Sequence, residues 1–233
     1  MGHSAIILCS GGIDSVTTAY YAKSKLGYGN IIILFFDYNQ KSVKKEREFS
    51  KACAKKLRAE FVEIKLGWLG KISQSLINKK GRIKKLDRKD LRNTKEESEK
   101  YYVPCRNTLF LTYALALAES IYAKSREKYD ILVGFKNEGK ESFPDTTPEF
   151  VKKMNDLSLV STKAGRIIAP LIEKDKEDII LIGTKWGVDF RNTHSCYIQN
   201  KHCGKCLACM LRKEGFYWAN VKDTTEYSGN MSS

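Results

Sequence analysis

Ser10-Gly11-Gly12-Ile13-Asp14-Ser15 sets two glycines, two hydroxyls and a carboxylate between an apolar run and a helix-forming one. That combination suits a polyphosphate. Glycine lets the backbone turn sharply and approach an anion with no Cβ in the way. The free N–H groups of a starting helix, with its dipole, favour phosphate. Ser10 and Ser15 add hydroxyl donors, and Asp14 fits a magnesium ion, which prefers carboxylate, water and phosphate oxygens. The Gly-Lys-Ser/Thr ending of a Walker A loop is missing, as is the G-x-G-x-x-G spacing of a dinucleotide fingerprint. An ordinary turn with Asp14 near a helix N-terminus is the bland alternative. It would account for a bare Ser-Gly-Gly, but not for six such residues in this setting.

A second group lies near the other end. Cys196, Cys203, Cys206 and Cys209 are separated by six, two and two residues. Four thiolates at such intervals can close a tetrahedral zinc shell. In Cys203-Gly204-Lys205-Cys206 the glycine permits the tight turn. Closely spaced cysteines also suit an iron–sulfur cluster. One structural zinc per chain is the favoured reading, because a single local loop supplies all four ligands and leaves no open position. His194 and His202 are near enough to compete, yet four cysteines suffice, so both are read as bystanders. The total of seven cysteines is odd and clustered, which points to metal rather than disulfides.

The elements that must position these groups alternate. Residues 5–9 form a continuous apolar run that reads as a buried strand. Helix is expected over 16–25, strand over 31–36 ending at Asp37, helix over 42–57 and strand over 61–64. Residues 107–123 are apolar almost all round, so this helix is expected to be buried. Strand follows at 131–134, helix at 150–160, a short strand at 167–171 ending at proline, and helix at 176–186 before Gly187. A basic, weakly patterned insertion at about 67–101 reads as a surface segment or a mobile lid. This alternation implies an α/β fold with a doubly wound parallel sheet, whose ligands sit beyond the carboxyl ends of the strands. The glycines of the loop, Asp37, Gly134 and Pro170 fall at those ends. The expected division is an α/β domain over 1–190 and a zinc-binding loop and helix over 191–233.

With 233 residues, 42% of them hydrophobic, the chain can build a real core. No apolar run reaches the ~18 residues of a membrane span, and the first residues lack a signal-peptide layout, so a soluble, cytoplasmic protein is expected. The net charge of +14 suits a nucleic-acid or polyphosphate partner, or simply a solvated lysine-rich surface.

The six-residue loop resembles that of the N-type ATP pyrophosphatases, which attach AMP to an acceptor oxygen and release pyrophosphate. Further motifs narrow the resemblance. They are Tyr102-Val103-Pro104-Cys105-Arg106-Asn107, Phe143-Pro144-Asp145 with Pro148-Glu149-Phe150, Pro170-Leu171-Ile172 with Lys176, Ser195-Cys196-Tyr197, and the run from Cys203 to Arg212. Nearly end to end, the chain resembles the QueC family of 7-cyano-7-deazaguanine synthases.

The resemblance implies an adenine-nucleotide α-hydrolase-like fold and a reaction. The carboxylate of 7-carboxy-7-deazaguanine is adenylated, ammonia gives the amide, and a second ATP activates the amide oxygen so that loss of AMP leaves the nitrile. It also implies roles. Leu8, Cys9, Ser10, Gly11, Gly12, Ile13, Asp14, Ser15 and Asp37 would bind ATP with Mg2+; Arg106, Asn107 and Asp145 would bind substrate; Asp14, Arg106 and Lys176 would be catalytic. A surface ion pair is the plain alternative for Arg106, and a solvated side chain for Lys176. The family's glycine is replaced here by Cys105, and the stretch from 137 to 146 departs from its pattern, with no cysteine after Asp145. The resemblance further implies a homodimer, free ammonia or an unseen partner as nitrogen source, and no stable nucleic-acid or membrane partner. A tRNA-thiolating enzyme of the same superfamily is one alternative. A zinc-ribbon nucleic-acid-binding protein with a degenerate loop is another, against which the intact Asp14 and both serines count.

Overall fold

The computed structural model describes residues 3–136, 143–163 and 165–228. Its strands are β1 (His3–Leu8), β2 (Tyr28–Asp37), β3 (Glu60–Lys65), β4 (Tyr129–Val133) and β5 (Ile167–Ile168). Its helices are α1 (Ile13–Ser24), α2 (Val43–Leu57), α3 (Gly67–Ile72), α4 (Lys95–Glu99), α5 (Arg106–Ser125), α6 (Pro148–Ser161), α7 (Lys176–Lys185) and α8 (Leu207–Trp218). The strands form one parallel sheet in the order β3-β2-β1-β4-β5. From β1 the chain winds outward through β2 to β3, then returns to the other side of β1 as β4. That reversal is a topological switch point, where a crevice opens beyond the strand ends.

Both faces of the sheet are covered, which is why the central strands are apolar without alternation. Side chains alternate across the pleat. Ala5, Ile7, Ile31 and Ile33 pack with Ile13, Val16 and Ala19 of α1, Cys53 and Leu57 of α2, Ile179 and Ile180 of α7, and Phe216 of α8. Ile6, Ile32, Leu34 and Ile131 pack on the opposite face with Leu111, Ala114, Leu115 and Ala118 of α5 and with Met154 of α6. No helix among the described residues is long and apolar enough to cross a membrane.

Three expectations need correction. Helix α1 starts at Ile13, not at 16, because extended Gly12 is its N-cap and Ile13 joins the core; Asp14 and Ser15 therefore belong to the first helical turn. Strand β5 keeps only two residues, since Pro170 lacks an N–H for the ladder and the residues around it turn, Ile172 N–H donating to the Ala169 carbonyl at 3.2 Å. Helix α5 is buried on one face only: Thr112, Tyr113, Ala116 and Ser120 are exposed, because the sheet covers just the Leu111–Ala114–Ala118 side. In the basic insertion, Ile77 and Leu86 are buried among the side chains of the α5 face. Backbone bonds tie it down at both ends, from Leu76 N–H to the Lys100 carbonyl at 2.8 Å and from Leu86 N–H to the Lys205 carbonyl at 3.2 Å.

Candidate active site

The end of β1 delivers the chain to Cys9, and residues 9–12 turn it into α1. Gly11 has φ +75°, and a Cβ there would meet the Glu46 carbonyl at 2.7 Å, so only glycine fits. Ser10 N–H donates to Ser15 Oγ at 3.2 Å, and that hydroxyl donates to the Gly12 carbonyl at 3.2 Å, which braces the turn without a ligand. At the switch point, Gly134 follows β4, and a Cβ on it would lie 2.8 Å from the Ser15 nitrogen. The missing side chain lets β4 abut the first turn of α1. Unpaired N–H groups at such a helix start, with the positive end of the dipole, form an anion site.

A cavity of about 510 Å³ opens there. Its lining includes Leu8, Cys9, Ser10, Gly12, Ile13, Asp14 and Ser15 from the loop and α1, and Lys176 from α7. Lys176 Nζ lies 2.6 Å from both carboxylate oxygens of Asp14. The pair is mostly buried, with side-chain exposures of 18% and 26%. It joins two expected catalytic residues 162 positions apart.

Arg106 and Asn107 also line the cavity, at the start of α5. Burial works against the Arg106 charge, but Tyr38, Asp145 and Tyr197 beside it hold its pKa above the ordinary value. A permanently charged guanidinium in a partly enclosed cavity is a strong anchor for a carboxylate. The preceding residue, Cys105, is exposed and sits at φ +53°, in the left-handed region that favours glycine.

Two expected ligand residues point elsewhere. Asp145 is buried but absent from the cavity lining; its Oδ2 accepts the Asn107 backbone N–H at 3.3 Å, and its carbonyl accepts Asn107 Nδ2 at 3.1 Å. The carboxylate thus caps the N-terminus of α5, where the helix dipole favours it. Asp37 also lies outside the lining, since Arg47 holds its carboxylate at 2.6 Å and bridges on to Glu63 at 2.8 Å. Gly11 shapes the loop from behind, its carbonyl accepting His194 N–H at 2.9 Å. The departures between 137 and 142 lie outside the described residues.

The cavity lining also includes residues to which the sequence assigned no site role: Gln40, Glu46, Lys136, His194, Ser195 and Arg212. Glu46 sits in the first turn of an amphipathic helix, where a glutamate ordinarily faces solvent. Gln40 donates to its Oε2 at 2.9 Å, Ser42 donates to its Oε1 at 2.5 Å, and burial pushes its carboxyl pKa up.

The four cysteines converge next to this wall. Their sulfurs lie within 4.8 Å of one another, and all four residues are buried. The Cys203–Cys209 and Cys206–Cys196 sulfurs are 3.9 and 4.0 Å apart, close to the roughly 3.8 Å edge that Zn–S bonds of about 2.3 Å give a tetrahedron. The donor set therefore fits a metal ion such as zinc. Gly204, at φ +71°, makes the knuckle turn. Hydrogen bonding with Cys196 and the other thiols pulls the Cys203 pKa down and pushes those of Cys206 and Cys209 up. A cation would let all four ionise.

Neither histidine joins the group. His194 Nε2 lies 3.1 and 3.0 Å from the carbonyls of Cys196 and Gln199, and Ser195 N–H donates to His202 Nε2 at 3.1 Å. Both rings brace the loop. Arg212, 1% exposed, ties that loop to α8, donating to Thr193 Oγ1 at 2.9 Å, Ser195 Oγ at 3.2 Å, the Phe190 carbonyl at 2.9 Å and Thr225 Oγ1 at 2.8 Å.

A family model described as queuosine biosynthesis protein QueC matches residues 4–220. The chain is 37% identical over 233 residues to a 7-cyano-7-deazaguanine synthase of Methanosphaera stadtmanae, covering 97% of this chain and 99% of the relative. It is 36% identical over 234 residues to one of Methanobrevibacter smithii, covering 98% and 99%. Among solved structures, a 4-thiouridine synthetase–RNA complex with bound ATP superposes with a TM-score of 0.51 at 16% identity, covering 92% of this chain and 53% of that one. At that identity the likeness speaks for the fold alone.

Proposed function

The chain belongs to the QueC family, and from that premise we propose that it is a 7-cyano-7-deazaguanine synthase, an ATP-dependent carbon–nitrogen ligase of queuosine biosynthesis. Its substrates would be ATP, ammonia and 7-carboxy-7-deazaguanine. The observation that carries this reading is one continuous cavity with an anion site at one end, at the start of α1, and the Arg106 guanidinium in its lining.

The first turn of α1, with Ser10 and Ser15, would hold the ATP phosphates. Arg106 would hold the substrate carboxylate and Asn107 would help to orient it. Lys176 would stabilise charge building on the phosphates once Asp14 releases it, and fixed charges of this kind lower barriers because they need no reorganisation. Asp14 would hold Mg2+, which when bound neutralises phosphate charge. Attachment of AMP turns a carboxylate oxygen, and later an amide oxygen, into a good leaving group. Cys196, Cys203, Cys206 and Cys209 would hold one structural zinc, keeping His194, Ser195 and Tyr197 in the cavity wall. In the same reading residues 1–190 carry the ATP site, 191–233 carry the metal, and the protein is a cytoplasmic homodimer.

The test is incubation of the purified protein with ATP, magnesium, ammonia and 7-carboxy-7-deazaguanine, following AMP release and product mass. The amide and then the nitrile should accumulate. A protein that makes neither is not this synthase.

A further inference from the structure

Between ammonium and nitrile, nitrogen loses every one of its protons, and adenylation by itself removes none of them. A site that builds the C–N bond therefore needs an acceptor near the activated carbon. Among the described residues, three carboxylates line the cavity: Asp14, Glu46 and Asp175. Asp14 is paired with Lys176, and Asp175 is the N-cap of the helix that carries Lys176, so both belong to the phosphate end. Glu46 is the remaining one.

Its placement suits the task. Gln40 is locked by its own bonds, with Nε2 donating to the Phe36 carbonyl at 3.0 Å and Oε1 accepting Tyr38 N–H at 2.9 Å. It then presents Nε2 to Glu46, while Ser42 holds the other oxygen. Two accepted bonds fix the carboxylate and leave lone pairs to spare, since an ionised carboxylate has about four acceptor sites. The charged groups facing it are Arg106 from α5, which favours the carboxylate, and Asp37 from β2, which opposes it. Arg106 and Glu46 line the same cavity, so a carboxylate held by Arg106 shares that space with Glu46.

Resting on the synthase reading above, we propose that Glu46 is the general base for the nitrogen steps. Its carboxylate takes one proton from ammonium, and the freed lone pair forms the C–N bond at the adenylated acyl carbon. The C–O bond to AMP then breaks with its electron pair, and the second excess proton leaves with the AMP phosphate. Glu46 passes its proton to solvent between the two stages. After the second activation, the O-adenylated amide, C(=NH2+)–O–AMP, first loses one nitrogen proton to water. The restored Glu46 carboxylate takes the last as C≡N forms and the C–O bond to AMP breaks with its electron pair. Carbon keeps its oxidation state, so no redox partner is involved. Burial, the largest influence on Glu46, raises its pKa toward the working pH, as an efficient base requires.

The experiment separates activation from nitrogen transfer in wild type, E46Q and E46D. Adenylation is read as pyrophosphate–ATP exchange dependent on 7-carboxy-7-deazaguanine. Nitrogen transfer is read in single turnovers with ammonium or with hydroxylamine, which is already neutral near pH 7. E46Q should keep its exchange within a few-fold while amide formation from ammonium falls about 100-fold or more. Hydroxamate formation should be largely spared, raising the pH should recover the ammonium rate, and E46D should retain part of it. Wild-type amide formation by E46Q overturns the inference. So does a parallel loss of exchange, hydroxamate and amide, which would make Glu46 a substrate-positioning or structural residue. Absence of acid-dependent exchange in the wild type would instead bring down the synthase reading itself, and this inference with it.

Discussion

The phosphate loop and the cysteine loop reach the same cavity by opposite means. Residues 9–15 are set mainly by backbone: a parallel strand, a glycine at φ +75° and a helix start make the turn, and the Ser15 hydroxyl braces it. Residues 194–209 have little regular structure, and their shape comes from side chains, four thiols, two imidazoles and the Arg212 guanidinium. A backbone-built site exists before its ligand arrives. A side-chain-built one rests on what its side chains hold, and four buried sulfurs within 4.8 Å of one another suit a cation. The two loops should therefore fail differently when disturbed.

The largest effect is expected at the cysteines. Cys206→Ser, or stripping the metal with a strong chelator, should cost several kcal/mol, because structural zinc binding is itself folding free energy. Thermal unfolding and bound-metal analysis would show a lower Tm and substoichiometric zinc, with activity falling as a consequence. A Cys206→Ser protein with full zinc and an unchanged Tm breaks the contrast.

Asp14→Ala should do the reverse. Loss of AMP formation by about 100-fold or more, or roughly 3 kcal/mol of transition-state stabilisation, is expected with the fold and zinc content intact. The same Tm by calorimetry, beside abolished AMP release, would sharpen the contrast. A large drop in Tm would show that the Lys176 pair is structural after all.

Arg212 lies between these extremes, since it braces the cysteine loop without belonging to the four-thiol group. Arg212→Met takes a donor from three hydroxyls, those of Thr193, Ser195 and Thr225, and the cation from Asp223, while the Phe190 carbonyl keeps the Thr193 hydroxyl. A cost of about 2–3 kcal/mol follows from stranded buried polar groups. Denaturant unfolding would measure it, with zinc content held near one per chain.

What could be read in the sequence divides along the same line. The glycine turn after the first strand, the parallel α/β class and the grouping of four cysteines were legible because each is a local pattern. The partners of Asp37 and Asp145 were not legible, because sequence shows only that a carboxylate follows a strand or a proline, not that Arg47 or the N-terminus of α5 also holds it. Glu46 was invisible because its helical position reads as solvent-facing, and only the fold of residues 38–42 over it turns it toward the cavity. The one-sided burial of α5 escaped for a related reason: periodicity reports an apolar helix but not how many faces find a partner.

The smallest effect tests whether backbone strain reaches the site. Cys105 holds φ +53° immediately before Arg106, a conformation costing a residue with a Cβ about 1–2 kcal/mol. Glycine would remove that cost but lose more freedom on folding, so Cys105→Gly should gain only about 0.5–1 kcal/mol. If the left-handed turn merely starts the helix, Tm rises slightly and turnover is unchanged. If it also aims Arg106, a relaxed turn shifts KM for the acid while adenylation kcat stays put, because the guanidinium would still reach the carboxylate but from a less fixed position. A loss of stability would mean that the Cys105 side chain, though exposed, contributes contacts that outweigh its strain. It would also move this corner from the backbone-built class to the side-chain-built one.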